Sequence, residues 1–449
     1  MVAPSPSSSF ERTLAAATPK FVAEEKDYVV RKVGRRLMWY LFALYLISVL
    51  DRGNLGFAAF SMNRDLGLTP QMFSIGVGIL FLGYAIFELP SNLILARFGA
   101  RVTLTRIALL FGLVTTSMAF IHGPIGFYVG RAALGAAEAG LSPGVFLFLS
   151  FWIPSAYRAR YNAVFAYASP CAYMLTSLIS GAILQLDGVL NIPGWKWLFM
   201  LEGLPAIALG IFGIFYLTNR PRDAKWLSER ERTWLEEELA AETRLELMHG
   251  AGTIKELLKS PAMLLLSLAF IGIFCGAASL AVWLPQIMHA NGVPLRYVGV
   301  VSAIPPLAGM VGMTFLCRRS DRKRERIYHV SACMLLAASG YGIVAVSRNA
   351  AAALGGFMVA NIGVYASYAI FWTIPQTVFP VKAKPAAIAL ISSVGALFGG
   401  WIAPMLIGNV QSRAHSLAPG LIVVFAVFVM SAICILLVGR MLRRQVTAA

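Results

Sequence analysis

Twelve apolar runs of 20 to 29 residues, separated by polar or charged stretches, organise the chain. They fall near 37–60, 73–96, 102–121, 124–151, 160–184, 196–217, 262–288, 295–317, 327–347, 350–378, 384–410 and 418–440. A helix needs about 20 apolar residues to cross ~30 Å of hydrocarbon, so the pattern predicts an all-α membrane protein with twelve transmembrane helices. One connection is long and charged. It divides the chain into an N-terminal tail (1–36), a six-helix half (37–218), a linker (219–260), a second six-helix half (261–440) and a short tail (441–449). Between Asp223 and Leu247, the residues Trp226, Leu227, Trp234, Leu235 and Leu239 recur at helical spacing on a polar background. That spacing predicts an amphipathic helix lying at the cytoplasmic surface, a linker and not a catalytic domain.

Composition excludes the soluble alternatives. Of 449 residues 58% are hydrophobic and 13% charged, where soluble domains carry about 25% charged residues. The net charge of +17 taken alone points to nucleic acid, but 31 of the 38 Lys and Arg lie in the two tails, in alternate connections or at the run ends beside them. The opposite connections and the run ends beside them hold Arg64, Lys196, Arg296, Arg348 and Arg413, and only Arg52 and Arg131 lie deep inside apolar runs. This asymmetry is the positive-inside pattern. It predicts a multi-pass membrane protein with both termini cytoplasmic, partnered by the bilayer and not by nucleic acid. Cys171, Cys275, Cys317, Cys333 and Cys434 lie singly, without the spacing of a metal site or disulfide framework. The first 36 residues have no apolar stretch, so no cleaved signal peptide is expected. HExxH, GxSxG and Walker sequences are absent, which argues against a membrane enzyme.

Ionisable residues at membrane depth carry the sharpest chemistry, because each costs about 2.5 to 3.5 kcal/mol on insertion scales. The first run contains Asp51 and Arg52 with Asn54 close by; the fourth contains Arg131 and Glu138, seven apart and so on one helix face. Their combination reads as a proton-binding site and an anion site sharing one cavity, with protons as the coupling ion and no other cofactor. The competing reading is a structural salt-bridge network. Arg52 is expected to meet the anion, and Arg131 to orient Glu138. Tyr84 and Glu88 share a face of the second run, with Glu88 reading as helix-end packing; Glu202 reads as a snorkelling residue near a helix start. From Pro261 onward the only acids are Asp321 and Glu325, both in a loop, so the second half offers a neutral polar and aromatic face. Asn361, Tyr365, Tyr368 and Trp372 form one helical stripe, and Ser169, Tyr173, Thr176 and Ser180 another. Trp283 and Gln286 flank Pro285, and Ser392 and Ser393 lie in the eleventh run. All of these are candidate cavity residues.

The stretches LDRGNLGFA (50–58), GYAIFELPSNLILARFGAR (83–101), GRAALGAAEAGLSPG (130–144), GWKWLFMLEGLPA (194–206), RPRDAKWLSERER (220–232) and WLPQIMHANG (283–292) span both halves and the linker. Through them the chain resembles the major facilitator superfamily, and more closely its anion:cation symporter branch, which includes permeases for tartrate, phthalate, 4-hydroxyphenylacetate and sugar acids. The resemblance implies that Asp51 and Glu138 take up protons, Arg52 engages a substrate carboxylate, Tyr84 lines the site and Arg131 is the matching arginine of the fourth span. Two departures stand out: Ala96 replaces the Asp of the superfamily's loop motif, and Ser392 and Ala396 stand where many relatives have Asn. The implied function is import of an aromatic acid, a hydroxy-dicarboxylate or a sugar acid with protons, by alternating access. Organic-anion or sugar-phosphate exchange without net proton movement and a transport-inactive nutrient receptor are the rivals. A monomer suffices for this architecture.

Overall fold

The computed structural model describes residues 22–248, 260–323, 325–379, 384–414 and 416–448. Helix starts are written locally. The Thr69 hydroxyl accepts from the Met72 N–H at 3.2 Å ahead of Pro70, and the Asn349 side chain accepts from the Ala352 N–H at 2.8 Å. Such side chains satisfy N–H groups that a helix start leaves orphaned. The described residues contain twelve helices long and apolar enough to cross a membrane. In the first half, spans 1 to 6 are Ala23–Asp65, Pro70–Glu88, Ala100–Met118, Gly123–Ser150, Ala168–Leu186 and Gly194–Tyr216. In the second half, spans 7 to 12 are Pro261–Ala290, Leu295–Lys323, Ile327–Val346, Ala350–Val378, Ala387–Ala414 and Pro419–Arg443. Twelve consecutive spans bring the start of span 1 and the end of span 12 to one face, called the terminus face below.

Span 1 is longer than its apolar run. Its 43 residues make a rod of about 64 Å, twice the hydrocarbon thickness, so its first turns project beyond the terminus face. The linker helix packs there. It runs Glu229–Met248, starting six residues later than the apolar spacing predicts, because Ser228 and Glu231 form a reciprocal cap. Its apolar face does not lie free on a membrane. Leu227, Trp234 and Leu235 are buried with Val29 and Val33 of span 1, and Trp226 stacks on Trp152 at 5.6 Å. Ion pairs frame this contact: Lys32–Glu231 at 2.8 Å, Lys26–Glu238 at 3.4 Å and Arg158–Glu242 at 3.0 Å.

Burial works to raise Glu231, but the Lys32 ammonium and the Ser228 N–H outweigh it and hold its carboxyl below the ordinary glutamate value. A depressed carboxyl contributes stability above its unfolded value and loses it as pH falls through the lowered one. Linker docking is therefore expected to hold at neutral pH and loosen only in acid. Lys32→Ala should weaken it by about 1 kcal/mol or less, since the pair is partly exposed. Limited proteolysis of the linker against pH reads both effects.

The halves meet through span 1 on span 7, span 2 on span 11 and span 5 on span 8. The tightest approaches lie toward the face opposite the termini. A Cβ on Gly56 would stand 2.6 Å from the Ala281 and Val282 carbonyl oxygens, and one on Gly181 would stand 2.6 Å from the Gly299 Cα. Only glycine lets these backbones touch. Nearer the terminus face, Ser393 of span 11 donates to Glu88 of span 2 at 3.4 Å.

Candidate functional site

A gap in span 4 sets the geometry. Its first helix ends at Glu138, Ala139 turns the chain, and Gly140 takes φ 85 before the helix resumes at Leu141. Glu138 thus sits fully buried at a helix C-terminus, where the backbone carbonyls repel a carboxylate. The compensating charge comes from another helix. The Arg52 Nε of span 1 donates to Glu138 Oε2 at 2.7 Å. This differs from the expectation that Arg131 would hold Glu138. Two turns separate that pair, about 10 Å along the axis, and Arg131 instead turns its Nε to the Gly76 carbonyl of span 2 at 3.3 Å.

Asp51 is 1% exposed; its Oδ1 accepts from the Thr115 hydroxyl at 2.8 Å and from the Asn54 amide at 3.4 Å. Four charged groups therefore share one buried region, and each keeps an unpartnered atom: Asp51 Oδ2, Arg52 Nη2, Arg131 Nη1 and Glu138 Oε1. Buried polar atoms are rarely left alone, so these mark where a proton or an anion would add contacts. Arg52 also lies over the Tyr84 ring at 5.3 Å. Tyr45 and Tyr173 lie within electrostatic range of Arg52, and Tyr368 reaches this group of tyrosines from the second half.

A narrow cleft of about 300 Å³, counting its open mouth, adjoins this cluster at Tyr173. Gly53, Tyr173 and Thr176 line it from the first half, with Pro285, Asn361 and Tyr365 from the second. The Asn361 amide donates to the Phe357 carbonyl of its own helix at 2.9 Å, while its Oδ1 and the Tyr365 hydroxyl have no partner.

Several expected wall residues lie outside the cleft's lining. Trp283 is buried and donates to Gln411 of span 11 at 3.2 Å; Gln286 donates back to the Val282 carbonyl at 2.8 Å. Both are held by packing, and Pro285 alone of that trio lines the cleft. Trp372 lies outside the cleft's lining, packed on Phe270 at 4.7 Å and edge-on to Tyr368 at 6.5 Å. Ser169 is half-buried, one turn before Tyr173 and outside the lining; Ser392 is half-buried too, and Ser393 is the residue that reaches Glu88. Tyr45 and Thr115 were not singled out by sequence. Tyr45 precedes Arg52 by seven residues, two turns on one face, and that spacing was a usable signal. Thr115 carried none. Glu202 does not snorkel: it is 4% exposed and accepts from the Ser180 hydroxyl at 2.7 Å.

Two packed six-helix halves, the first with charges buried at membrane depth, define a multi-pass membrane transporter. The family model for the Major Facilitator Superfamily matches residues 41–404, and the chain belongs to that superfamily. A protein of Agrobacterium vitis described as a candidate tartrate transporter is 39% identical over 92% of this chain and 91% of its own length. A quinolone resistance transporter of Acinetobacter baumannii is 35% identical over 94% of this chain and 97% of its own. Among solved structures, a bacterial homologue of the human lysosomal transporter Spinster superposes with a TM-score of 0.75 at 16% identity, covering 94% of this chain and 98% of that one. The D-xylose–proton symporter gives 0.71 at 16% identity, covering 89% and 96%. These relatives are transporters and not enzymes, and at such identity the structures speak for the fold alone.

Proposed function

We propose that the protein is a proton-coupled symporter of a bacterial inner membrane that imports a small organic carboxylate, with both termini cytoplasmic. The observation that carries this reading is the shared guanidinium of Arg52, whose Nε holds Glu138 while Nη2 is free. A substrate carboxylate that takes Arg52 weakens its grip on Glu138, and a buried Glu138 without its cation keeps a proton. Proton and anion then favour each other's binding, which is what symport needs. The Lys and Arg asymmetry supports the orientation. In that orientation the tight glycine contacts close the periplasmic side, an inward-facing stage of alternating access.

Two features favour a short hydroxy-dicarboxylate over a flat aromatic acid. The cleft offers hydroxyls and an amide from Tyr173, Thr176, Asn361 and Tyr365, while Trp283 is turned to Gln411 and Trp372 lies outside the lining. The relatives described as tartrate transporters, 39% and 40% identical, point the same way. Uptake into proteoliposomes with and without an inside-alkaline gradient tests the reading; tartrate uptake that ignores the gradient leaves exchange as the function. The relative named for quinolone resistance gives outward drug transport as a second reading, and gradient-driven accumulation of quinolone into inside-out vesicles would select it.

Charge movement provides a separate check. If Asp51 and Glu138 each carry a proton, a dianion crosses silently and a monoanion brings one positive charge inward. A monoanionic substrate is expected to give an inward current that grows with an inside-negative potential at fixed pH. A monoanion transported without current excludes the two-proton scheme.

A further inference from the structure

Charge balance within the spans is uneven. Asp51, Glu138 and Glu202 are nearly or fully buried in the first half, against two deep guanidiniums, Arg52 and Arg131. Arg52 pairs with Glu138, and Arg131 is the cation nearest in effect to Asp51. Glu202 is left over: among the described residues no Lys or Arg forms an ion pair with it. Its Oε1 accepts from Ser180 at 2.7 Å and its Oε2 has no partner. Asn54 stands between the two acids. Its Nδ2 donates to Asp51 at 3.4 Å, the same amide lies within reach of Glu202, and its Oδ1 is unpartnered.

We propose that Glu202 is a third proton-binding carboxyl, linked to Asp51 through the amide of Asn54. A proton on Oε2 removes the surplus negative charge and turns an orphaned acceptor into a donor, able to serve another orphaned acceptor such as Asn54 Oδ1. The Asn54 N–H groups then remain for Asp51 in its ionised form. Of the elements packed on span 6, span 1 faces Glu202 with Asp51, span 3 with Thr116 beside Gly203, and span 5 with Ser180. Among these, Asp51 is the group that titrates. Glu202 is eight residues into span 6 from the face opposite the termini and Asp51 fourteen from that end of span 1. A proton from that face therefore reaches Glu202 about 9 Å before Asp51.

This proposal rests on the proton-coupled reading but is tested without substrate or gradient. Infrared difference titration of the full-length protein in lipid follows the carbonyl stretch of protonated carboxyls. Glu202→Gln is expected to remove one component of that band. Ser180→Ala, which keeps the carboxyl, should move the midpoint of the same component upward by about one to two pH units, the effect of losing a hydrogen bond to a charged group. Asp51→Asn should move it downward, by removing a like charge. A Glu202→Gln spectrum identical to wild type across the titration overturns the site. A midpoint indifferent to Asp51→Asn overturns the link. If Glu202→Gln does not fold, an unmoved band in Ser180→Ala overturns the site by itself. Failure of gradient-driven uptake in the wild-type protein would count against symport and leave this titration unaffected.

Discussion

Asp51→Asn and Glu138→Gln are each expected to abolish uphill accumulation driven by a pH gradient, while exchange of labelled for unlabelled substrate survives. The expectation follows from what an amide can imitate. Asn and Gln keep the shape and hydrogen bonds of the protonated acid, so the states that bind and move substrate remain available. Release of the proton on the far side does not, and with it goes the link to the gradient. One pH unit is worth about 1.4 kcal/mol per proton, a factor of about ten in accumulation for each proton coupled. Neutralising one site removes at least that factor. The Glu138 variant carries a further effect. Arg52 loses its carboxylate partner at 2.7 Å and is freed for substrate, so binding in Glu138→Gln is expected to be as tight as wild type or tighter. Counterflow and gradient-driven uptake, measured in the same proteoliposomes, separate the two behaviours. Concentrative uptake by the double variant at the wild-type ratio would exclude both residues as coupling sites.

The architecture was legible because hydropathy and charge are set by the solvent. A span must be apolar over its length whatever it packs against, so the twelve runs fall close to the observed helices. The two deep arginines stood out for the same reason. What periodicity could not supply was partnership. Arg131 and Glu138 share a face on paper, yet the left-handed Gly140 ends the helix at Glu138 and Arg52 reaches it from span 1. Trp283 and Gln286 flank a proline at membrane depth, a pattern equally compatible with a cavity wall and with the packing they adopt. Glu202 was misread because distance from a helix end predicts snorkelling only when lipid, and not a neighbouring helix, lies beside the residue. Here Ser180 and Asn54 provide a polar pocket that no single helix reveals. For the linker, the amphipathic spacing was legible, but the partner of its apolar face, a surface on span 1, was not.

Arg52→Lys is expected to weaken substrate binding by about a hundredfold, although the charge is preserved. In the wild type one planar group does two tasks in different directions. Its Nε holds Glu138 at 2.7 Å while Nη2 stays unpartnered beside Tyr84. A lysine ammonium is a compact point charge that cannot present fixed, divergent donors to two carboxylates. If it stays with Glu138, the substrate loses its charge-assisted contact; if it turns to the substrate, Glu138 is left buried without a cation. Breaking such a pair costs about 2–5 kcal/mol, and a hundredfold in affinity is about 2.8 kcal/mol. The measurement is ligand-induced thermal stabilisation across short hydroxy-dicarboxylates, aromatic acids, sugar acids and their methyl esters. Wild-type protein should be stabilised by free acids and not by full esters, with hydroxy-dicarboxylates ahead of aromatic acids because the cleft wall is hydroxyl-bearing. Arg52→Lys should lose most of that response and keep its melting temperature without ligand to within a few degrees. Esters that stabilise the wild type as well as the acids do would refute a carboxylate–arginine contact. A lysine variant with unaltered acid response would move the anion site from Arg52 to the free Nη1 of Arg131.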